Sequence, residues 1–173
     1  MIKIKSFKKT ETGYIPVSVE VELSKGIGIH VIGLADEELK QCLLRIIQGI
    51  QASGFKIPAE KIVINIAPQD VKNTSGPFDV AIAAAIIAAS GQLNLPVADD
   101  FLVAGNMNAD GSINACDDVN EMIAYAESRG YKSCIVPIES APDIQKTEMY
   151  IYMVNTLKDV LGILSNPGNK QDL

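Results

Sequence analysis

One short segment of this 173-residue chain brings together residue types that can do chemistry. Lys72-Asn73-Thr74-Ser75-Gly76-Pro77-Phe78-Asp79 lies between an apolar run ending at Ala67 and an alanine-rich run from about Pro77 to Ser90. That is a strand-loop-helix order, at which many proteins place a nucleophile or seat an anion. Lys72, Asn73, Thr74, Ser75, Gly76 and Asp79 are therefore the candidate binding loop, for an anion or a docked peptide. Helix initiation explains part of the same pattern without any ligand. Pro77 suits a first helical position, because its missing N–H would be unpaired there anyway. Asp79 then falls in the first turn, where the macrodipole favours a carboxylate.

The other reactive types are scattered. A phosphate loop of the G-x-x-x-x-G-K-[ST] kind is absent, which excludes an NTPase of that class. His30 is the only histidine, and it stands in a strand-like run, where an edge or surface place is its simple reading. Acidic groups recur at Asp36-Glu37-Glu38, Asp99-Asp100 and Asp117-Asp118; the first and last suit helix starts and the middle one a solvated turn. Cys42, Cys116 and Cys134 are widely spaced with no C-x-x-C, as expected of reduced thiols in a cytoplasm and not of a disulfide framework or zinc site. No metal or cofactor site is expected.

The elements that must position these groups are legible in the periodicity. Val17, Val19, Val21 and Leu23 alternate with Ser18, Glu20 and Glu22, as in a half-buried strand. Ser24-Lys25-Gly26 supplies turn chemistry before "IGIHVIGL", and the two runs read as a hairpin. With "IKIKSF" they suggest a small N-terminal antiparallel sheet. From Ala35 to Ser53 the period becomes helical, and Gly54 is placed to end the helix. Strand "KIVINIA" follows. The helix after Pro77 is apolar on nearly all sides, so it must be a central one. The remainder reads as strand "FLVAGNM", turn "ADGS", a helix ended by Gly130, strands "SCIVP" and "YIYMV", and helix "TLKDVLGIL". These patterns predict an α+β fold, a mixed α/β sandwich in one domain over 1–164, with 165–173 as a loose tail.

Composition bounds the partners. Hydrophobic content of 47% and charged content of 21% are those of a globular chain. The net charge of −6 works against direct binding to nucleic acid or to an anionic membrane. The start of the chain lacks the apolar core of a signal peptide, and the ten-residue apolar run Val80 to Ala89 is too short to span a bilayer.

The segments "VSVEVELSKGIGIHVIGLADEELK", "SGFKIPAEKIVINIAPQDVKNTSGPFDVAIAAAIIAASGQL" and "VAGNMNADGSI" together resemble the N-terminal domain of the magnesium-chelatase-related ComM/YifB proteins. The resemblance covers roughly Val17 to Leu164. In those proteins the domain precedes an AAA+ ATPase module, and its fold is similar to the proteolytic domain of Lon, which uses a serine and lysine dyad. The resemblance places the serine after Gly76-Pro77, where this chain has Phe78, and the lysine early in the helix after the "DGS" turn, where it has Asn120. Phenylalanine and asparagine can serve neither as nucleophile nor as base. The resemblance thus implies a non-catalytic, Lon-like protein-interaction module whose partner is an AAA+ ATPase or a component of DNA-processing machinery. The alternatives are a peptidase with a displaced serine, Ser75 or Ser112, and a fragment or remnant of a longer ComM-like ATPase. Met1 and the polar end also suit a short standalone protein.

Overall fold

The computed structural model describes residues 1–10, 13–32, 36–67 and 76–169. Among the described residues four α-helices pack on a seven-stranded mixed sheet. Strand β1 (Ile2–Thr10) pairs antiparallel with β2 (Gly13–Ser24), and β2 pairs antiparallel with β4 (Lys61–Ala67). On its other side β1 meets β5 (Phe101–Val103) in parallel, followed by β8 (Ser133–Pro137) and β9 (Tyr150–Val154), also parallel. Strand β3 (Ile29–Ile32) closes the opposite edge, parallel to β4. A separate two-stranded ribbon joins β6 (Asn106–Met107) to β7 (Ile113–Asn114).

This pairing corrects the expected hairpin. β2 and β3 are not neighbours, because β4 inserts between them, and the N-terminal hairpin is β1–β2. Gly26 and Gly28 both have left-handed φ, +134° and +91°, and carry the chain outward after β2. The slot is filled by β4, whose Ile62, Ile64 and Ile66 are buried and which matches β2 from Ser18 to Ser24. That ladder is longer than anything the four residues of β3 can offer. His30 lies exposed on this edge strand.

Helix α1 (Asp36–Ala52) ends where Gly54 takes φ +88° and Phe55 N–H bonds back to the Ile50 carbonyl, a glycine-terminated stop. Helix α2 (Asp79–Ala89) rests on β1 and β2 and is flanked by α1 and α4 (Leu157–Ser165). Every residue from Asp79 to Ile87 is buried, which is why its sequence has no polar face. Helix α3 (Val119–Ser128) covers the other face of the sheet, over Phe7, Leu102, Cys134 and Val136. Thr156 starts α4 with a reciprocal capping box to Asp159. Beyond α4, Pro167–Asn169 form one 3-10 turn, and Asn169 Nδ2 donates to the Ile163 carbonyl. Among the described residues no helix is long and apolar enough to cross a membrane.

Candidate functional site

The start of α2 is fixed by its neighbours before any side chain is considered. Gly105 N–H donates to the Pro77 carbonyl at 2.8 Å, and Val80 N–H donates to the Gly105 carbonyl at 3.2 Å. Ser6 Oγ, fully buried on β1, donates to the Val103 carbonyl and has the Pro77 carbonyl at 3.3 Å. Gly76 passes so close to β1 that a Cβ there would lie 2.5 Å from the Phe7 carbonyl oxygen. Glycine is therefore required by contact with the sheet, a reason beyond helix initiation.

Asp79 is the charged group at the centre. Its side chain is only 3% exposed, and burying a carboxylate is costly unless it is paired and hydrogen-bonded. Three donors meet it: Cys42 Sγ at 2.9 Å on Oδ1, and Arg45 Nη2 and Met107 N–H, each at 3.2 Å on Oδ2. Cys42 and Arg45 are three residues apart on α1, so one helix face supplies both. The carboxylate thereby ties α1, α2 and β6 together. Gly49 lets that face approach closely, since a Cβ there would be 2.6 Å from Met107 Cε.

Beside this knot lies a cavity of about 330 Å³. Pro77 and Phe78 form an apolar part of its wall; Lys9, Arg45, Asn106 and Asp117 supply polar groups. Asn106 Oδ1 is buried with no hydrogen-bond partner among the described residues. Cys116 also lines the cavity, and burial, with Asp117 adding to it, pushes its thiol up to about 12. It is therefore a neutral group and a poor nucleophile near neutral pH. Tyr14 contributes a phenol raised above its ordinary range, first by burial and then by Cys116, Asp118, Asp117 and Glu121.

The residues singled out in the sequence divide as follows. Gly76 and Asp79 stand at this cavity, whereas Lys72, Asn73, Thr74 and Ser75 lie outside the described residues. Phe78 is 2% exposed and belongs to the main core. Asn120 is half-buried on α3, and its Oδ1 accepts a 2.7 Å bond from Gln145 N–H. Ser112 sits in the β6–β7 turn, donating at 2.6 Å to Asp110 Oδ1. That bond, with a second from Ser112 N–H, holds the Asp110 carboxyl below its usual range, so it is a weak base. Among the described residues no three His, Cys, Asp or Glu side chains are grouped to hold a metal ion.

Asp117-Asp118 does not cap α3 as its sequence suggests. Asp118 occupies the cap position with left-handed φ of 53° and makes no side-chain cap bond. Both side chains stay exposed toward the cavity mouth and the neighbouring hollow at Asn120. Asp99-Asp100 lies in a 3-10 turn, where Asp99 is exposed.

Sequence reasoning missed Lys9, Arg45, Asn106 and Cys116 as members of the site. A signal existed for Arg45 alone: it flanks the apolar stripe of α1, three residues after Cys42. The others come from strands and turns that only the fold brings to the start of α2.

A profile of the family described as subunit ChlI of Mg-chelatase matches residues 19–140. The chain belongs to this family. Within it lie the second half of β2 and the elements from β3 through β8, including the knot at Asp79 and most of the cavity wall. Among curated proteins, the uncharacterized protein YifB of Escherichia coli is 30% identical over 154 residues, covering 88% of this chain and 27% of YifB. The competence protein ComM of Haemophilus influenzae is 29% identical over 151 residues, 86% of this chain and 30% of ComM. The archaeal Lon protease of Methanocaldococcus jannaschii is 26% identical over 151 residues, 87% of this chain and 23% of that protein. The chain thus spans about a quarter to a third of the length of these curated relatives. The ChlI-family chain therefore resembles both the ComM/YifB proteins and a Lon protease, as the sequence motifs imply.

Proposed function

We propose that this chain is a non-catalytic, Lon-like interaction module whose partner is an AAA+ ATPase of the ComM/YifB kind. One observation carries the reading: the junction at Gly76–Asp79 is rigidly built beside a cavity, yet the groups described there cannot start a reaction. Phe78 is in the core and Asp79 is occupied by three donors. Cys116 is held as a thiol. A serine or cysteine nucleophile needs a base or a lowered pKa, and neither condition is met by these described groups. Similarity to ComM and YifB over most of this chain supports the choice of partner.

The test is to titrate the purified chain against the ATPase portion of a ComM/YifB-type protein, with and without ATP, while a fluorogenic peptide assay runs beside it. Saturable binding without peptide turnover is the expected result. Turnover that disappears in Ser75→Ala or Ser112→Ala would establish a hydrolase instead. Absence of binding under both nucleotide conditions would remove the ATPase partner.

A further inference from the structure

We propose that the cavity beside Asp79 binds a carboxylate of a partner's peptide chain, seated between Lys9 and Arg45. The inference rests on the reading of this junction as a binding face and names the chemistry that it recognises.

Among the described residues two cations line the cavity with donor capacity left over. Arg45 has five N–H donors, and one of its nitrogens, Nη2, is engaged, by Asp79. Its side chain remains 40% exposed. Asp79 holds the guanidinium in place from behind, so less rotamer freedom is lost when a second acceptor arrives. Lys9 is exposed near the end of β1 and lines the same cavity. It has no ion-pair partner among the described residues.

The remaining walls select among anions. Among the described residues Arg45 compensates Asp79, and Lys9 is offset by the exposed Asp117 at the same cavity, so the described wall carries no net charge. Beside the same two aspartates a singly charged carboxylate adds one uncompensated charge and a phosphate dianion about two, so the carboxylate is the less costly anion here. The backbone also disfavours phosphate, because Gly76 is followed by Pro77, which has no N–H to offer. Asp117 suits the N–H groups that accompany a peptide carboxylate, and Pro77 and Phe78 give an apolar surface for its carbon chain. A volume of about 330 Å³ admits a few residues, at the small end of ligand sites. The neutral Cys116 thiol adds no competing charge.

The carboxylate can come from a chain terminus or from an acidic side chain, and small probes separate the two. The 15N-labelled chain is titrated with N-acetylalanine, which carries only a terminal carboxylate, and with N-acetylglutamic α-amide, which carries only a side-chain one. Neutral N-acetylalaninamide and inorganic phosphate are the controls. Amide signals of Phe78, Asp79 and Asn106 are expected to shift with at least one carboxylate and not with the neutral amide, and the stronger arm identifies the source. Lys9→Ala, at an exposed position that the fold tolerates, is expected to weaken binding about tenfold, the size of one charge-assisted hydrogen bond. Arg45→Lys keeps the charge facing Asp79, loses the planar fork and is expected to weaken it as well. No shift with either carboxylate, equal shifts with the neutral amide, tighter binding of phosphate, or indifference to Lys9→Ala would each overturn the proposal. An ATPase that binds wild type and Lys9→Ala equally well would remove this inference and leave the interaction module standing.

Discussion

The starts of α2 and α3 face neighbouring hollows of one surface, yet they are built on opposite principles. At α2 the backbone is tied to β1 and to Gly105, and the one carboxylate is buried with three donors. At α3 three carboxylates, Asp117, Asp118 and Glu121, are exposed, and the cap residue makes no cap bond. The difference teaches where each can change. A buried carboxylate fixes the geometry of everything it touches, whereas exposed ones set charge and leave geometry alone. The α2 start is thus the frame of the cavity and the α3 start its adjustable rim.

The strongest attack on this contrast is Phe78→Ser. It empties an aromatic site in the main core and buries a hydroxyl, and should lower the unfolding free energy by about 3–5 kcal/mol in a urea titration. Peptide turnover should stay at background, since Asn120 cannot act as a base. Measurable turnover in that variant would mean that the resemblance places the dyad elsewhere.

Asp79→Asn comes next. It keeps the shape of the knot but removes the charge facing Arg45 and an acceptor for Cys42 or Met107. A loss of about 1–3 kcal/mol is expected, limited because the half-exposed Arg45 can turn to water. A loss no larger than that of an exposed substitution would erase the distinction between frame and rim.

Alkaline pH probes the wall that the two regions share. The Cys116 thiol is raised from 9.0 to about 12, so the folded state favours the protonated form. Its contribution is fully present below pH 9 and is lost as pH rises from about 9 towards 12. Stability of the wild type should therefore fall across that window by no more than about 1.4 kcal/mol per pH unit from this group. The Cys116→Ala difference in melting temperature between pH 8 and pH 10 isolates that share; a difference that does not change would show the thiol to be unperturbed.

Asn120→Ala should have the smallest effect. It removes the acceptor for Gln145 N–H at the surface, worth about 0.5–1.5 kcal/mol by urea titration. A loss matching that of Asp79→Asn would make the α3 start a structural frame too.

Much of this fold was legible because burial writes itself into period. The alternation of Val17, Val19 and Val21, the stripe of Cys42, Ile46 and Ile50, and the unbroken apolar run of α2 each named an element and its buried face. The expected hairpin of β2 with β3 failed because turn residues reveal that a chain reverses and not which strand it will lie beside, and the run "FLVAGNM", expected as one strand, is divided between β5 and β6 in two different sheets. The candidate site was legible only where one segment carried it, at Gly76 and Asp79.

The sequence by itself determined the elements, the absence of a serine after Gly76-Pro77 and the membership of the family, since these rest on local order along the chain. Tertiary structure alone decided that β4 enters between β2 and β3, that Arg45 and Cys42 converge on Asp79, and that Lys9 and Cys116 share one cavity. The physical reason is that a buried charge is stable only when donors from distant segments reach it together. Such convergence leaves no period in the sequence to be read.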